Sequence, residues 1–440
     1  MTRRTFVSTT AAALAVPQAL SASDPIRVGI IGVGNIGTRH LERRLLPMER
    51  QDGILKMTAA CDIYDRAKFR AQEMIGLSKK DVHHDFRELL ARPDVDAVLI
   101  ATPEHWHAPM ALAAVEAGKD VYLEKPMTRT VAEAKQLTEA VERTGRVLQV
   151  GSQWVSDPAY HEAKRLIGEG LIGDVVWMQS SYSSNHPDGV WQYYVDEEAN
   201  PETVDWKAFL GEAPDQEFSG ERFFRWRKYW DFSGGIATDF LYHRLSPLLY
   251  AVGPRFPTRV TASGGLWHFQ NRQVPDSYQT TIEYDSFGCD LFGSCASQSS
   301  NSLHGPTIYG RKATIEIGTG QVVVKPERLF ADEFKKATGK DQLVIEVDNR
   351  DQQTARTAHM LNFLECVRTR EKPIFDARFG YQVMAAIKLG VDSYRQGRVF
   401  GFDSEYETIL DPPPERPHGY EGDGKNDPDA GPQYGKRGVV

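Results

Sequence analysis

The apolar run Ile26–Gly32 leads directly into Gly32-Val33-Gly34-Asn35-Ile36-Gly37, and Gly34–Leu46 then carries helical spacing. Nothing else in the chain restricts its fold so strongly. A G-x-G-x-x-G alone says little, but between a strand and a helix each glycine has a task. Gly32 permits the tight turn, Gly34 lets a ligand approach the backbone, and Gly37 lets helix and strand pack closely. Free amides of the turn, those of Asn35 and Ile36 among them, and the positive end of the helix dipole suit a pyrophosphate. The next apolar run, Leu55–Cys61, follows a loop expected around Pro47–Gly53 and ends on Asp62. A carboxylate there accepts hydrogen bonds from adenosine ribose hydroxyls and repels a 2′-phosphate, which favours NAD over NADP as cofactor.

Strand-like and helix-like stretches continue to alternate. Val95–Ala101, Asp120–Leu123 and Val147–Val150 read as strands, and Arg66–Ile75, Asp85–Leu90, Ala108–Ala117 and Val131–Thr144 as helices. This pattern predicts an α/β chain with an N-terminal Rossmann doubly wound parallel sheet over residues 24–150. Beyond 151 the character changes. A helix over Tyr160–Ile167 and a strand over Asp174–Tyr182 precede an aromatic stretch, Asn185–Trp230, that reads as long loops; Gly234–Val252 is helical. Seven strand-like runs between Arg259 and Val347 have hairpin spacing, and helices over Thr354–Arg370 and Ala377–Gln396 follow. A C-terminal α+β domain over 151–400, with a largely antiparallel open sheet, is expected. Residues 401–440, rich in Pro and Gly, are expected to form an extended tail.

Arg3 and Arg4 stand before a small-residue apolar stretch, Ala11–Leu20, and Ser21-Ala22-Ser23 offers a cleavage site. Residues 1–23 resemble a twin-arginine export signal, which implies a periplasmic or exported protein. That route carries folded proteins, so a nucleotide acquired inside the cell would have to stay bound. The formal charge of −8 argues against a nucleic-acid partner, and no apolar run has membrane-spanning length. Cys61, Cys289, Cys295 and Cys366 lack metal-ligand spacing and are expected to be core thiols; His105-Trp106-His107 lacks a third ligand, so no metal is expected.

A second set of motifs is more specific. Val98-Leu99-Ile100-Ala101-Thr102-Pro103 with His107, then Gly118-Lys119-Asp120-Val121 and Glu124-Lys125-Pro126, then Trp226-Arg227, Gly234-Gly235, Asp239 and His243, resemble the Gfo/Idh/MocA family of oxidoreductases. The resemblance implies a Rossmann domain plus an α/β domain whose open sheet often mediates assembly, hence a homo-oligomer, dimer or tetramer. It also implies that Lys125 sits beside the nicotinamide and the reacting hydroxyl, with Asp239 and His243 as catalytic partners. Thr102, Pro103, His107 and Glu124 are then expected to face the cofactor. Asp239 and His243 fall one helical turn apart, so the carboxylate can orient the imidazole and favour its protonated form. Hydride loss from an alcohol carbon needs the hydroxyl proton removed. Either His243 is the base with Lys125 stabilising the oxygen, or Lys125 is the base with His243 relaying.

The aromatic residues clustered between Tyr182 and Trp230 suit the flat faces of pyranoses, and Gln153, Tyr182 and Arg227 are candidate substrate contacts, with Asn185 and His186 further hydroxyl-binding groups. A small-molecule sugar, glycoside or polyol is therefore the expected substrate. The run Thr102–Ala111 also resembles the NAD-dependent glycosidase branch of the same superfamily. Lys125 in a dehydrogenase-type motif and Asp239 in the helix depart from that branch and favour oxidation of a sugar hydroxyl.

Overall fold

The computed structural model describes residues 24–299, 301, 305–349 and 351–414. The expected export signal over 1–23 and the tail beyond 414 lie outside the described residues. The first sheet holds β1 (Ile26–Ile31), β2 (Leu55–Cys61), β3 (Val82–His83), β4 (Ala97–Ile100), β5 (Asp120–Glu124) and β6 (Leu148–Gly151) in the order β3-β2-β1-β4-β5-β6, all parallel. Its central strands are buried on both faces, as continuous apolar runs such as Ala97–Ile100 require. The strand order reverses between β1 and β4, and a crevice opens there at the carboxyl ends of the strands.

The second sheet has ten strands: β7 (Val175–Ser183), β8 (Arg259–Gly265), β9 (Ser277–Glu283), β10 (Gly288–Ser294), β11 (Thr307–Gly310), β12 (Ala313–Ile317), β13 (Gln321–Pro326), β14 (Leu343–Glu346), β15 (Phe400–Asp403) and β16 (Thr408–Leu410). Only the β7–β10 pair is parallel. Met178, Leu291, Ile282, Ile308, Ile315 and Val322 alternate onto the face covered by the helices Pro158–Gly168, Tyr242–Val252 and Ala377–Gln396. Several helix starts are fixed locally: Thr130 and Glu133 form a reciprocal capping box, and Asp157, Asp351 and Asp376 each cap the helix that follows.

Four expectations need correction. The helix after the glycine turn runs Asn35–His40 and then widens into a π-type turn over Leu41–Leu45. Pro47–Gly53 is not a loop, because Pro47 has helical dihedrals and starts a further turn, Met48–Asp52, that Gly53 ends at φ 63°. Asn185–Trp230 contains short helices at Trp206–Leu210 and Gly220–Phe224, capped by Asp205 and Ser219 and too short to show periodicity. Residues 401–410 are not tail: β15 pairs with β8 and β16 with β15, extending the sheet.

The aromatic excursion folds back over the first domain. Asp65 N–H donates to Thr203 O (3.0 Å), Asp205 N–H to Ile63 O (3.1 Å), and Tyr64 Oη to Asp196 (2.8 Å). Phe223 and Phe224 meet the Tyr64 ring edge-on. No helix among the described residues is long and apolar enough to cross a membrane.

Candidate active site

The glycine turn has the geometry its sequence asks for. Gly32 sits at φ 87°, a left-handed conformation that favours glycine, and its N–H donates to Cys61 O at 2.9 Å. A Cβ on Gly37 would lie 2.0 Å from Gly32 O, so close packing of helix on strand excludes any side chain there. A Cβ on Gly34 would meet nothing within 4 Å, leaving its backbone open to the crevice. Asp62 follows at the end of β2. Its carboxylate accepts from Val33 N–H (2.7 Å) and Tyr64 N–H (2.9 Å), which ties it to the turn. Burial pushes its carboxyl upward, against the pull of these amides and of Arg70.

One cleft of ≈ 1290 Å³ runs from this turn to the second domain. Ordinary ligand pockets hold about 300–1,000 Å³, so there is room for a dinucleotide and a second small molecule. Gly32, Gly34, Asn35, Ile36, Asp62, Thr102, Pro103, Glu124, Lys125, Gln153, Tyr182, Arg227, Asp239 and His243 all line it. Thr102 Oγ1 is buried without a partner among the described residues, a polar atom available to a bound nucleotide. Gly37 stands behind the turn.

His107 does not face the cleft. It is 1% exposed, with Nδ1 2.6 Å from Pro126 O and Nε2 2.9 Å from Thr102 O. The ring therefore joins the loops that carry Thr102 and Lys125 and acts from behind them. Burial lowers its pKa, against the pull of the two carbonyls.

Lys125 and Asp239 form the centre of the site. Lys125 Nζ donates to the Asp239 carboxylate and to Asp239 O (3.0 Å). Arg227 Nε (3.3 Å) and the Trp191 indole N–H (2.7 Å) also reach that carboxylate. Burial disfavours the charge on Asp239, but Lys125 and Arg227 overcome it and hold the carboxyl well below its usual range. Trp191 adopts φ 66°, a costly backbone for a bulky side chain, and its indole is what the strained turn delivers to Asp239.

The expected orientation of His243 by Asp239 is not what the structure shows. The turn Ala237–Leu241 is π-type, with i→i+5 bonding, so residues four apart no longer stack. His243 Nδ1 instead faces Ser152 Oγ at 3.3 Å, and Ser152 meets Ser246 at 2.7 Å. Burial first, and then the Lys125 charge, push the imidazole down to about 3, so it is neutral rather than protonated. Its Nε2 has no hydrogen-bond partner among the described residues, and the residue lines the cleft.

Several contributors carry no motif that would have singled them out. Glu104, 1% exposed, accepts from Ser233 Oγ (2.6 Å), Gly234 N–H (3.1 Å) and Thr238 Oγ1 (2.9 Å), pinning the segment that presents Asp239. Behind Lys125, Arg44 Nε donates to His40 Nδ1 (3.2 Å), which leaves Nε2–H to donate to Glu124 (2.7 Å). Burial lowers the His40 pKa against the pull of Glu124; burial also opposes charge on Glu124, but the His40 contact and nearby Lys125 hold it down at about 2. The four cysteines are buried and free. Among the described residues no group of three or more His, Cys, Asp or Glu could hold a metal ion.

Comparison with known proteins finds relatives over most of the chain. Scyllo-inositol 2-dehydrogenase (NAD(+)) of Bacillus subtilis is 27% identical over 384 residues, covering 84% of this chain and 95% of that protein. Alpha-N-acetylgalactosaminidase of Shewanella oneidensis is 32% identical over 189 residues, only 38% of this chain and 39% of that one. The solved structure of levoglucosan dehydrogenase with NADH and L-sorbose has the same fold, with a TM-score of 0.64 at 22% identity over 86% of this chain and 98% of that one. The model of the oxidoreductase family's NAD-binding Rossmann fold matches residues 26–152, and that of its C-terminal alpha/beta domain matches 164–402. The chain is thus a member of the Gfo/Idh/MocA oxidoreductase family, with an NAD-binding Rossmann domain.

Proposed function

We propose that this protein is an NAD(H)-dependent oxidoreductase acting on a hydroxyl of a sugar, glycoside or polyol, with a tightly held cofactor. One observation carries the reading: Lys125 and His243 both line the cleft that begins at the glycine turn. The inositol and levoglucosan dehydrogenases among its relatives act on polyhydroxylated rings of this kind. A bound nicotinamide supplies a hydride acceptor. The protein's part is to hold the alcohol and manage its proton. Lys125, positioned by its contact with Asp239, donates to the substrate oxygen and stabilises charge developing there. His243 Nε2 accepts the hydroxyl proton as the hydride leaves the alcohol carbon, and releases it to solvent in the cleft. Asp62 supports preference for NAD over NADP.

The test is incubation of the purified protein with sugars, polyols and aryl glycosides, following nicotinamide reduction and aglycone release. Reduction without aglycone is expected. Aglycone release without net reduction would replace this reading with the redox-assisted glycosidase one, which the match to alpha-N-acetylgalactosaminidase favours. No reaction across the panel would defeat both.

A pH profile checks the role of His243. With its pKa lowered to about 3, the imidazole stays a base as pH falls from 7.5 to 5.5, so kcat/KM for oxidation should show no acid limb from this group. A histidine at its ordinary value of about 6.5 would cost roughly tenfold at pH 5.5. A limb near 6.5 that vanishes in His243→Asn would contradict the assignment.

Two further proposals concern setting. Export through the twin-arginine route rests on Arg3, Arg4 and the apolar stretch behind them, and a mature protein still carrying residues 1–23 would refute it. Assembly as a homo-oligomer through the outer face of the ten-stranded sheet rests on half-exposed Trp177 and Phe292 there, and a monomer by light scattering would refute it.

A further inference from the structure

Beyond the nicotinamide end, the cleft is walled by three guanidinium groups. Arg43 and Arg44 come from the π-type turn Leu41–Leu45, and Arg356 comes from the helix Gln352–Thr369 across the cleft. They stand close enough to act on one another: the charges of Arg44 and Arg43 both oppose the charge on Arg356. Arg44 is 8% exposed and spends only Nε, on His40. Among the described residues none of the three has a carboxylate within ion-pair distance. The buried Glu124 is hydrogen-bonded to His40, and its charge offsets part of the repulsion at Arg356 without pairing with it. Glu42 also lines the cleft but pairs with none of them.

Like charges gathered at one place repel one another; Arg44 is buried and Arg356 half-buried, so both lose hydration, while Arg43 stands exposed at the rim. Proteins rarely keep such a group without an anion to fill it. The cofactor's own phosphates do not serve. They would rest at the helix start near Asn35, whereas Arg43 and Arg44 lie eight and nine residues further along, in the π-type turn. Asp62 marks the adenosine end, at the tip of β2, on the far side of the glycine turn. Tyr182 and Gln153 line the same cleft as Arg356, and Tyr182 is close enough to influence its charge. The recess therefore belongs to the substrate. Planar guanidinium forks match carboxylate and phosphate oxygens in pairs.

We infer that the sugar bound here is anionic, with a carboxylate or phosphate seated among Arg43, Arg44 and Arg356 while its hydroxyl faces Lys125. The inference rests on the oxidoreductase reading for the reacting end, and names the other end of the same substrate.

The test is calorimetric titration of the full chain loaded with NADH, so that binding is read whether or not hydride moves. Glucuronate, galacturonate and gluconate are compared with glucose, galactose and sorbitol, and glucose 6-phosphate with glucose. At least one acid or phosphate is expected to bind tenfold or more tightly than its neutral partner, with the advantage shrinking as salt rises. Preference within the anionic set separates carboxylate from phosphate. In Arg43→Gln/Arg356→Gln, which spares the His40 contact, the ratio should fall to near one with nucleotide still bound. Equal affinity for acids and neutral sugars, an advantage that survives the double variant, or no binding by any anion would each overturn the inference. Failure of hydride transfer alone would count against the proposed reaction and leave this result standing.

Discussion

Lys125→Ala is expected to slow hydride transfer by about 10²–10³-fold while the nucleotide remains bound, since one preorganised donor at a developing oxyanion is worth that much. The loss should fall on kcat, because the ammonium acts mainly on charge that appears during the reaction. The site should survive the change. Asp239 keeps the Trp191 indole at 2.7 Å and Arg227 at 3.3 Å, so no buried carboxylate is left unpartnered. Lys125→Arg should not rescue, because a planar fork cannot take the place of a point donor between Asp239 and the substrate. Steady-state rates together with nucleotide content in the purified variant check this. Full activity in the alanine variant would remove Lys125 from the chemistry.

The glycine turn gives the second large effect, and two substitutions separate its roles. Gly37→Val places a Cβ 2.0 Å from Gly32 O and 3.0 Å from Gly32 C, backbone atoms that cannot swing aside. Helix and turn must part, at a cost of about 1–3 kcal/mol or more, and nucleotide affinity should fall by about a hundredfold or beyond as the amides lose their arrangement. Gly34→Ala differs. Its Cβ enters open space, so thermal stability should barely move while affinity falls, because the methyl occupies the approach a pyrophosphate needs. Melting temperature and NAD titration measure both. Equal NAD affinity in Gly34→Ala and the parent would show that no phosphate rests there.

The first sheet was legible in the sequence because its strands, such as Ala97–Ile100, are buried on both faces and read as unbroken apolar runs. The glycine turn and Asp62 were legible because their roles are backbone requirements, and those depend on local order. What depended on helix pitch was not. The spacing of Asp239 and His243 suggested a pair, but the π-type turn between them hands the carboxylate to Lys125 and leaves His243 with Ser152. His107 looked cofactor-facing from its motif, yet only the fold shows two carbonyls enclosing its ring. Glu104, His40 and Trp191 act through contacts 48 to 134 residues away, which no local pattern records. β15 and β16 were hidden in a Gly- and charge-rich stretch because β15 needs a distant edge, β8, to pair, and β16 in turn pairs with β15.

The most direct test of the central claim is the adenine dinucleotide content of the purified chain, released by heat and quantified, with NAD and NADP offered to any empty fraction. About one equivalent of NAD(H) per chain is expected, carried from expression or taken up on incubation, with NADP excluded by Asp62. A protein that neither contains nor takes up a dinucleotide would contradict a pyrophosphate on residues 32–37, and with it every role assigned to Lys125.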